Sequence, residues 1–399
     1  MAPVKRPVIL FVLPWSLRFI GGVNQVVTNL ALQMRDAGQF EPLVLMADWA
    51  APVPVFEEIN GVRTVRWRVR PYQGAMGVKA RLAYILWELG FRKRFARFCR
   101  EHDVQAVNVH YPGGMAFTLE RVLKATKSRA PFLLSFHGSD VSNLANSSAS
   151  EKDAWRGLVR NSDAVVTCSL ELAKRVETAL AMAVRYHVIY NGVDADKFAG
   201  GAGAQVAEEN SVILHVGKFD YNKGQDVLIE AFARIAADFP GTILHLVGSS
   251  GSQLDNLRLL AANLGLAERV RFFIDIPFAQ IPEYFAEASV FAFPSRQEAF
   301  GLVLLEAGTC KLPVVASRVG GIPELIHDQL TGLLVEPDDV ASLAQALRTL
   351  LGDPAFAHQL GRRLSKRVAA DFSWENTRDR YEKLICDISQ SALPAQTAA

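Results

Sequence analysis

Residues 290–308 read VFAFPSRQEAFGLVLLEAG and join two apolar runs through a short polar turn. The first run, Val290–Phe293, is predicted to be a buried strand that ends at Pro294. The second, Leu302–Thr309, is predicted to be a helix that begins just after Gly301. A strand that turns through glycine into a helix is the repeating unit of parallel α/β sheets. This stretch therefore predicts an α/β fold.

The same turn has the composition of an anion-binding site. A helix that starts at a glycine turn presents amide N–H groups and the positive end of its dipole, which suit a diphosphate. Glu298 lies in the turn, and Glu306 lies in the second helical turn, where its carboxylate can accept from ribose hydroxyls. The pattern predicts a nucleotide-sugar site. Taken alone, the spacing also fits a surface residue and a charge near a helix N-terminus.

Strand–helix alternation continues along the whole chain. Short, nearly continuous apolar strands of this kind indicate sheets that are covered on both faces. Further strands are predicted at Val8–Leu13, Pro42–Met46, Thr64–Val69, Ala106–Val109, Phe132–Phe136, Ala164–Thr167, His187–Tyr190, Val212–Val216, Ile243–Val247, Arg271–Phe273 and Val314–Ala316.

A turn sequence, Asn191-Gly192-Val193-Asp194, divides the alternation into two halves. We predict two Rossmann-like, doubly wound parallel-sheet domains, at residues 1–190 and 191–372, with a hinge at Asn191–Val193. A final helix, 373–390, is predicted to return to the first domain, and the tail 391–399 is predicted to be disordered. Such sheets bind ligands beyond the carboxyl ends of their strands, which predicts a central cleft.

Bulk composition excludes several classes of protein. The net charge of +2 over 399 residues gives no general attraction to nucleic acid. Four scattered cysteines without a C-x-x-C pair indicate a reducing cytosol and neither disulfides nor zinc. The first apolar run, Val8–Leu13, is too short for a signal sequence, and no run reaches the ~18 residues of a membrane-spanning helix. We therefore predict a cytoplasmic protein, either soluble or peripheral on a membrane.

Residues 63–100 carry a local basic excess, with eleven Lys or Arg against a single acid, Glu88. Aromatic residues such as Trp67, Trp87 and Phe91 alternate with the basic ones. A basic, aromatic surface can bind an anionic membrane. It can equally be a solvated helix face whose rings point into the core. Nucleic-acid binding is less well supported, because no known module surrounds the region.

Two predicted strand–helix turns carry glycine or cations suited to phosphate. Gly21-Gly22 follows the first strand, and glycine allows an anion to approach the backbone closely. Lys218 and Lys223 flank a turn in GKFDYNKGQ, where two ammonium groups can neutralise a departing diphosphate. A plain turn and two solvated lysines remain the alternatives. Neither G-x-G-x-x-G nor a P-loop sequence occurs, so a dinucleotide dehydrogenase or a P-loop NTPase is poorly supported.

Two further strand ends carry polar groups or glycine. His137, in HGSD, can hydrogen-bond a ligand hydroxyl, while Asp140 is either functional or a helix cap. His110 is a weaker candidate for acceptor contact, and the VGGIPE sequence from Val319 predicts another helix start rich in N–H groups. No residues have the spacing of a metal site, and no G-x-S-x-G elbow indicates a nucleophilic triad.

Together these sequences resemble the retaining glycosyltransferases of family 4, which have the GT-B fold. The resemblance spans nearly the whole chain and rests on the following segments: Gly21-Gly22, HGSD at His137, NGVD at Asn191, GKFDYNKG at Gly217, PSRQEAFGLVLLEAG at Pro294, VGGIPELI at Val319 and FSWENTRDRYEKLI at Phe372. It implies that the first domain binds the acceptor and the second binds a nucleotide-diphosphate sugar.

The resemblance also implies roles for individual residues. Lys218 and Lys223 would bind the diphosphate and stabilise it as it leaves, and Glu298 would hold hydroxyls of the donor sugar. Glu306 would hold the ribose, and His137 would contact the transferred sugar. The amides of Phe300, Gly301 and Leu302 would meet the sugar and phosphates, and Gly22 would approach the diphosphate. The family usually has Arg where Lys218 stands, so a point charge replaces a planar fork.

The implied activity is transfer of a hexose, with retention of configuration and without a metal or other cofactor, from a UDP-, GDP- or ADP-linked sugar. The implied acceptor is a saccharide, membrane-associated or lipid-linked, as in bacterial surface polysaccharide synthesis on the inner face of the plasma membrane. Three alternatives remain: a soluble sugar-phosphate acceptor, a nucleotide-sugar epimerase or hydrolase on the same fold, and a non-catalytic scaffold.

Overall fold

The computed structural model describes residues 6–19, 21–72, 76–198 and 211–391. The chain forms two compact units, Met1–Tyr190 with Trp374–Ala399, and Asn191–Ser373. Of the tail predicted to be disordered, 392–399 lies outside the described residues, while residue 391 ends the C-terminal helix, Trp374–Ser391. None of the helices in these ranges combines the length and apolar composition that crossing a bilayer requires.

Eight strands from the described part of the first unit form one sheet, in the order β3-β4-β2-β1-β5-β6-β7-β8. All neighbouring pairs are parallel except β3 and β4. The strands are β1 (Val8–Leu13), β2 (Glu41–Ala47), β3 (Val55–Ile59), β4 (Val62–Trp67), β5 (Val104–His110), β6 (Phe132–Phe136), β7 (Ala164–Thr167) and β8 (Tyr186–Val188).

The sequence-based interpretation missed β3, which pairs with β4 as an antiparallel hairpin. Its residues are mostly exposed and include two glutamates, so it lacks the apolar run that marked the other strands. The turn between β3 and β4 could be identified from its sequence, Asn60-Gly61. Both residues take positive φ angles, of 52° and 74°. Asn-Gly is the preferred pair for such a two-residue hairpin turn.

Helices cover the first sheet and bury its apolar strands. They are α1 (Gly22–Ala37), α2 (Val78–Glu101), α3 (Gly114–Ala125), α4 (Ser139–Ala145), α5 (Ala149–Asn161) and α6 (Leu170–Leu180). The C-terminal helix packs with α1 and adds Tyr381, Leu384 and Ile385 to the same core as Ile9 and Phe11. That burial keeps the end of the chain on the first unit.

Six parallel strands in the described part of the second unit form a sheet in the order β11-β10-β9-β12-β13-β14. They are β9 (Val212–Val216), β10 (Ile243–Gly248), β11 (Val270–Ile274), β12 (Val290–Phe293), β13 (Val314–Ser317) and β14 (Leu333–Val335). The helices are α7 (Ala195–Phe198), α8 (Gln225–Ile235), α9 (Leu254–Asn263), α10 (Ile281–Glu287), α11 (Leu302–Thr309), α12 (Ile322–Leu325), α13 (Val340–Gly352) and α14 (Pro354–Asp371). The predicted parallel α/β architecture is confirmed in both units.

Candidate active site

Three turns of the second unit pack together at the start of α11, because the strands before them, β9, β12 and β13, are neighbours. Gly301 caps α11 with a φ of 99°. A Cβ on Gly320 would lie 1.6 Å from the carbonyl oxygen of Glu298, and one on Gly224 would lie 2.0 Å from that of Pro294. Both glycines also have positive φ angles. Only glycine allows this close contact among the three turns.

Lys223 and Glu298 form an ion pair at this junction. Lys223 Nζ lies 2.7 Å from Glu298 Oε2, and the two side chains are only 22% and 15% exposed. Lys223 Nζ also lies 5.3 Å from the centre of the Phe293 ring at the end of β12. Such a pair interacts more strongly than one on the surface, because little water screens it. The structure thus brings these two predicted residues together beside the N-terminus of α11.

Lys218 is more exposed than Lys223 and has a different partner. Its Nζ lies 2.8 Å from Asp220 Oδ2, and the hydrogen bond from Lys218 lowers the pKa of Asp220. Gln225 Nε2 donates to the carbonyl of Lys218 at 2.9 Å, which fixes the backbone of this turn. The ammonium group of Lys218 can therefore change partners by rotating its side chain while its backbone stays in place.

Arg296 was missed in the sequence interpretation, although it holds two of these turns together. Its guanidinium bonds Asp226 at 2.7 Å and Asp338 at 2.6 Å, and it donates to the carbonyl of Tyr221 at 2.7 Å. It also lies over the Tyr221 ring, 4.0 Å from its centre. These carboxylates raise the pKa of Arg296, so it stays charged. An Arg within the turn sequence PSRQE was the available signal.

The remaining residues predicted to bind the donor lie on or before α11. Phe300 is buried and packs its ring 6.1 Å from that of Phe372, which anchors the turn. Leu302 is the first residue of α11, and Glu306 is only 3% exposed. Glu306 is an electrostatic neighbour of Lys197, whose pKa is lowered chiefly by burial. The roles assigned to these residues remain predictions.

Two histidines of the second unit, His215 and His245, lie within strands β9 and β10. Both are buried, and burial lowers the pKa of each to about 4, so they are neutral near pH 7. His215 Nδ1 donates to the carbonyl of Ala292 at 3.0 Å, but within the described residues its Nε2 has no partner. Within the described residues, neither ring nitrogen of His245 has a hydrogen-bond partner. His245 is held by ring packing on Phe273 at 4.9 Å.

In the first unit, the Gly21-Gly22 sequence lines a cavity of about 440 Å³ at the start of α1. Tyr111 and Ser139 also line it. Gly21 has an extended φ of 169° and open space around its Cβ position, so the fold does not require glycine there. The cavity therefore brings together the glycine pair and HGSD, two of the sequences singled out above.

Asn24 fixes the loop that precedes this cavity. Its Oδ1 accepts from Trp15 Nε1 at 2.7 Å, and its Nδ2 donates to the carbonyls of Ser16 and Phe19 at 3.0 and 2.7 Å. Sequence reasoning overlooked this residue, although an asparagine among the buried residues of α1 was visible. It is 5% exposed.

His137 stands at the end of a buried chain of hydrogen bonds. Asn108 Nδ2 donates to His110 Nε2 at 3.1 Å, so the neutral His110 ring carries its proton on Nδ1. His110 Nδ1 then donates to His137 Nε2 at 3.0 Å. The proton of His137 is therefore on Nδ1, which makes that atom a hydrogen-bond donor. Burial lowers the pKa of His137 to about 4 and that of His110 well below its usual value, so both rings are neutral.

The same chain extends to the C-terminal helix. Ser135 Oγ donates to Asn108 Oδ1 at 2.9 Å and accepts from the Tyr381 hydroxyl at 3.2 Å. The oxygen of the Asn108 amide therefore faces Ser135, and its NH₂ group faces His110. Tyr381 is 4% exposed, and burial raises its pKa to about 12, so it keeps its proton.

Asp140, which the sequence allowed to be either functional or a helix cap, binds backbone amides of its own turn. It is 4% exposed and accepts from the amides of His137, Gly138 and Val141 at 2.7 to 3.1 Å. Burial raises its pKa to about 6, against the effect of these amides. Its carboxylate holds the turn that carries His137.

No group of three or more His, Cys, Asp or Glu within residues 6–19, 21–72, 76–198 and 211–391 could hold a metal ion. A cavity of about 690 Å³ between β8 and the C-terminal helix contains none of the predicted site residues.

Two family models match the chain, one in each half. A family model described as "Glycosyltransferase Family 4" matches residues 20–197, and one described as "Glycosyl transferases group 1" matches residues 202–367. Sucrose-phosphate synthase from Thermosynechococcus elongatus has a similar fold, with 24% identity, a TM-score of 0.75 and coverage of 97% of this chain and 100% of that one. A glycosyltransferase from Rickettsia africae gives 20% identity, a TM-score of 0.76 and coverage of 96% and 99%.

Curated relatives are more similar in sequence. The chain is 31% identical over 306 residues to the GDP-mannose-dependent alpha-(1-6)-phosphatidylinositol monomannoside mannosyltransferase of Mycolicibacterium smegmatis, covering 73% of this chain and 79% of the relative. It is 30% identical over 390 residues to the D-inositol 3-phosphate glycosyltransferase of Corynebacterium urealyticum, covering 91% and 90%. The chain belongs to the glycosyltransferases of family 4 with the GT-B fold.

Proposed function

We propose that this enzyme transfers a hexose from a nucleotide-diphosphate sugar to a saccharide acceptor, with retention of anomeric configuration. The observation that carries the proposal is the Lys223–Glu298 pair, 2.7 Å apart, beside the N-terminus of α11. A cation next to a helix N-terminus suits a diphosphate, and the neighbouring carboxylate suits sugar hydroxyls. The donor named for the M. smegmatis relative, GDP-mannose, belongs to this class.

In the proposed reaction the bond between the anomeric carbon and the phosphate oxygen breaks, and a bond to the acceptor oxygen forms on the same face. The acceptor proton passes to the departing phosphate. Lys223 and Lys218 stabilise the charge that develops on that diphosphate. Because the two lysines and the α11 dipole supply positive charge, we propose that no metal or other cofactor is needed.

The other site residues have roles that follow the family resemblance. Glu298 holds hydroxyls of the donor sugar, Glu306 holds the ribose, and the amides of the α11 turn meet the phosphates. His137 donates from Nδ1 to the transferred sugar, a direction set by its bond with His110. Gly22 approaches the diphosphate.

For the acceptor we propose a membrane-associated saccharide, used at the cytoplasmic face of the plasma membrane in surface polysaccharide synthesis. The name of the M. smegmatis relative specifies a phosphatidylinositol-linked saccharide. An apolar cavity of about 160 Å³ in the first unit, lined in part by Trp49, Val69 and Pro71, supports an acceptor with an apolar portion. A soluble sugar phosphate is the second candidate, because the C. urealyticum relative is named for D-inositol 3-phosphate.

The test is acceptor-dependent release of nucleoside diphosphate. Purified enzyme is incubated with UDP-, GDP- and ADP-linked hexoses, with or without lipid-linked saccharides or sugar phosphates. The proposal predicts nucleotide release only with acceptor, and a proton NMR spectrum of the product with the anomeric configuration of the donor. Nucleotide release or sugar epimerisation without acceptor would indicate a hydrolase or epimerase. Donor binding without turnover in any combination would indicate a scaffold.

A further inference from the structure

Helix α2 has two apolar faces of different composition. One face is buried in the first unit and is mainly aromatic, with Tyr84, Phe91, Phe95 and Phe98 in the core. The other is aliphatic and exposed to solvent. Its members are Val78 (86% exposed), Leu82 (58%), Ile85 (40%), Leu86 (63%) and Leu89 (51%).

The five exposed residues form one continuous stripe. An α-helix turns about 100° per residue, so positions 78, 82, 85, 86 and 89 fall within an arc of about 100°. The buried aromatic residues fall on nearly the opposite side of the helix. We call residues 78, 82, 85, 86 and 89 the α2 stripe. A contiguous exposed stripe of this kind marks a binding surface more often than an isolated exposed leucine does.

The charges beside the α2 stripe are basic. Lys79 lies along one edge and Arg81 along the other, while Lys93 follows the stripe one turn beyond Leu89, and all three residues are exposed. Of the two acids in α2, Glu101 ends the helix and pairs with Arg97 at 2.7 Å. Glu88 is 2% exposed and bonds Arg92 at 2.6 Å and Arg121 at 3.1 Å. Its negative charge is therefore neutralised inside the protein and does not offset the basic edges.

We propose that the first half of α2 inserts the α2 stripe into an anionic lipid bilayer. This inference deepens the acceptor part of the proposed function, because it names the surface on which that acceptor lies. An aliphatic stripe between basic edges matches the acyl boundary and the anionic headgroups of a bilayer. A second copy of this chain fits less well, because pairing two such stripes would bring like charges together.

The apolar cavity of the first unit is linked to the same helix through the segment that follows β4. The segment after β4 supplies Val69 and Pro71 to that cavity, and the next residue, Tyr72, contacts Tyr84 of α2 at 5.5 Å between ring centres. Trp49, another cavity residue, is 63% exposed. The apolar cavity is thus one residue along the chain from a contact with α2, which places the proposed acceptor cavity close to the proposed membrane-binding helix.

The experiment measures co-sedimentation of the full-length protein with vesicles, without donor or acceptor. The vesicles are either pure phosphatidylcholine or an equal mixture with phosphatidylglycerol. We expect binding to the mixed vesicles, and a loss of at least tenfold in partition coefficient for Leu82→Ser/Leu86→Ser. The matched control is Leu259→Ser/Leu330→Ser, which changes leucines of similar exposure, 60% and 55%, in the second unit and should leave binding unchanged.

A charge variant tests the contribution of the basic residues beside the α2 stripe. Lys79→Ser/Lys93→Ser should weaken binding to mixed vesicles by about fivefold for each lysine removed, with little effect on phosphatidylcholine. Because all the altered side chains are exposed, melting temperatures should match that of the wild type.

Absence of wild-type binding to mixed vesicles, or equal binding of the leucine variant and its control, would overturn the inference. So would a dimer in analytical ultracentrifugation that the leucine variant abolishes, without vesicle binding. Sugar transfer to a soluble acceptor without vesicle binding would overturn this inference alone. Vesicle binding without sugar transfer to any acceptor would overturn the proposed function alone.

Discussion

Replacing Lys223 with Gln removes the positive charge beside α11 and keeps a side chain of similar length. In the wild type, Lys223 Nζ contacts Glu298 Oε2 at 2.7 Å in a setting where both side chains are mostly buried. The substitution therefore has two consequences. It leaves the Glu298 carboxylate without its cation, and it removes a cation proposed to stabilise the departing diphosphate.

The two consequences have different magnitudes and different readouts. Leaving the mostly buried Glu298 carboxylate without a partner lowers the free energy of unfolding by about 1–3 kcal/mol. This corresponds to a fall in melting temperature of roughly 2–12 °C for a unit of this size. Loss of an electrostatic contact to the developing charge costs about 3–4 kcal/mol in the transition state, or a fall of about 10²–10³ in kcat.

The assay compares Lys223→Gln, Glu298→Gln and the double variant by differential scanning fluorimetry and by nucleotide release. The double variant has no unpaired charge, so we expect its melting temperature to recover toward that of the wild type. Its kcat should stay as low as that of Lys223→Gln, because the cation is still absent. Recovery of activity together with stability would refute the reasoning, since Lys223 would then serve only to neutralise Glu298.

Three other predictions follow from single features of the structure. Gly320→Ala should lower both stability and activity by more than its control, Gly265→Ala, in chemical denaturation and nucleotide-release assays. Both glycines have positive φ angles, but a Cβ on Gly320 would lie 1.6 Å from a carbonyl oxygen, whereas one on Gly265 would meet open space. Ser135→Ala should allow the side-chain amide of Asn108 to flip, so that ¹⁵N NMR shows His137 as a mixture of tautomers and the enzyme has a lower kcat. A single Nδ1–H form of His137 in the variant would contradict the proposed chain. The pKa of His215 falls from 6.5 to about 4 on folding, so this neutral ring contributes stability above pH 6.5 that is lost as pH falls toward 4. His215→Leu should therefore reduce the slope of unfolding free energy against pH by about 1.4 kcal/mol per unit across that window, and an unchanged slope would show that another group is responsible.

The parallel sheets could be predicted because buried strands consist of nearly uninterrupted apolar runs. Val290–Phe293 and Phe132–Phe136 are buried at every position, and Ser135 is the one polar residue among them. The exposed strand β3 lacks such a run, and only its Asn60-Gly61 turn signalled it. Edge strands are less readable because just part of their surface faces the core.

Sequence reasoning also placed Lys223 and Glu298 after strands of the same domain, because the alternation of strands and helices fixes which end of a sheet each turn occupies. It could not supply the 2.7 Å contact between them, which depends on strand order. It missed Arg296 and Asn24 for a related reason. Each holds loops by bonds to residues or carbonyls that no local pattern identifies.

Helix α2 has features that each of the two interpretations of residues 63–100 requires. Its aromatic residues point into the core, as expected for a solvated helix. Its exposed aliphatic stripe and basic edges are what a membrane-binding helix needs. The sequence could not separate the faces, because apolar residues occur on both sides and the periodicity is weak.

The most direct test of the central claim is a thermal-shift panel of UDP, GDP and ADP and their hexose conjugates, on the wild type and Glu306→Ala. A ligand that binds the folded state raises the melting temperature, by about 2.7 kcal/mol of stability at a hundred times its dissociation constant. We predict a clear shift with the nucleotides of one base, reduced in the variant. No shift with any of them at millimolar concentration, or an equal shift in the variant, would contradict a nucleotide-sugar site at α11.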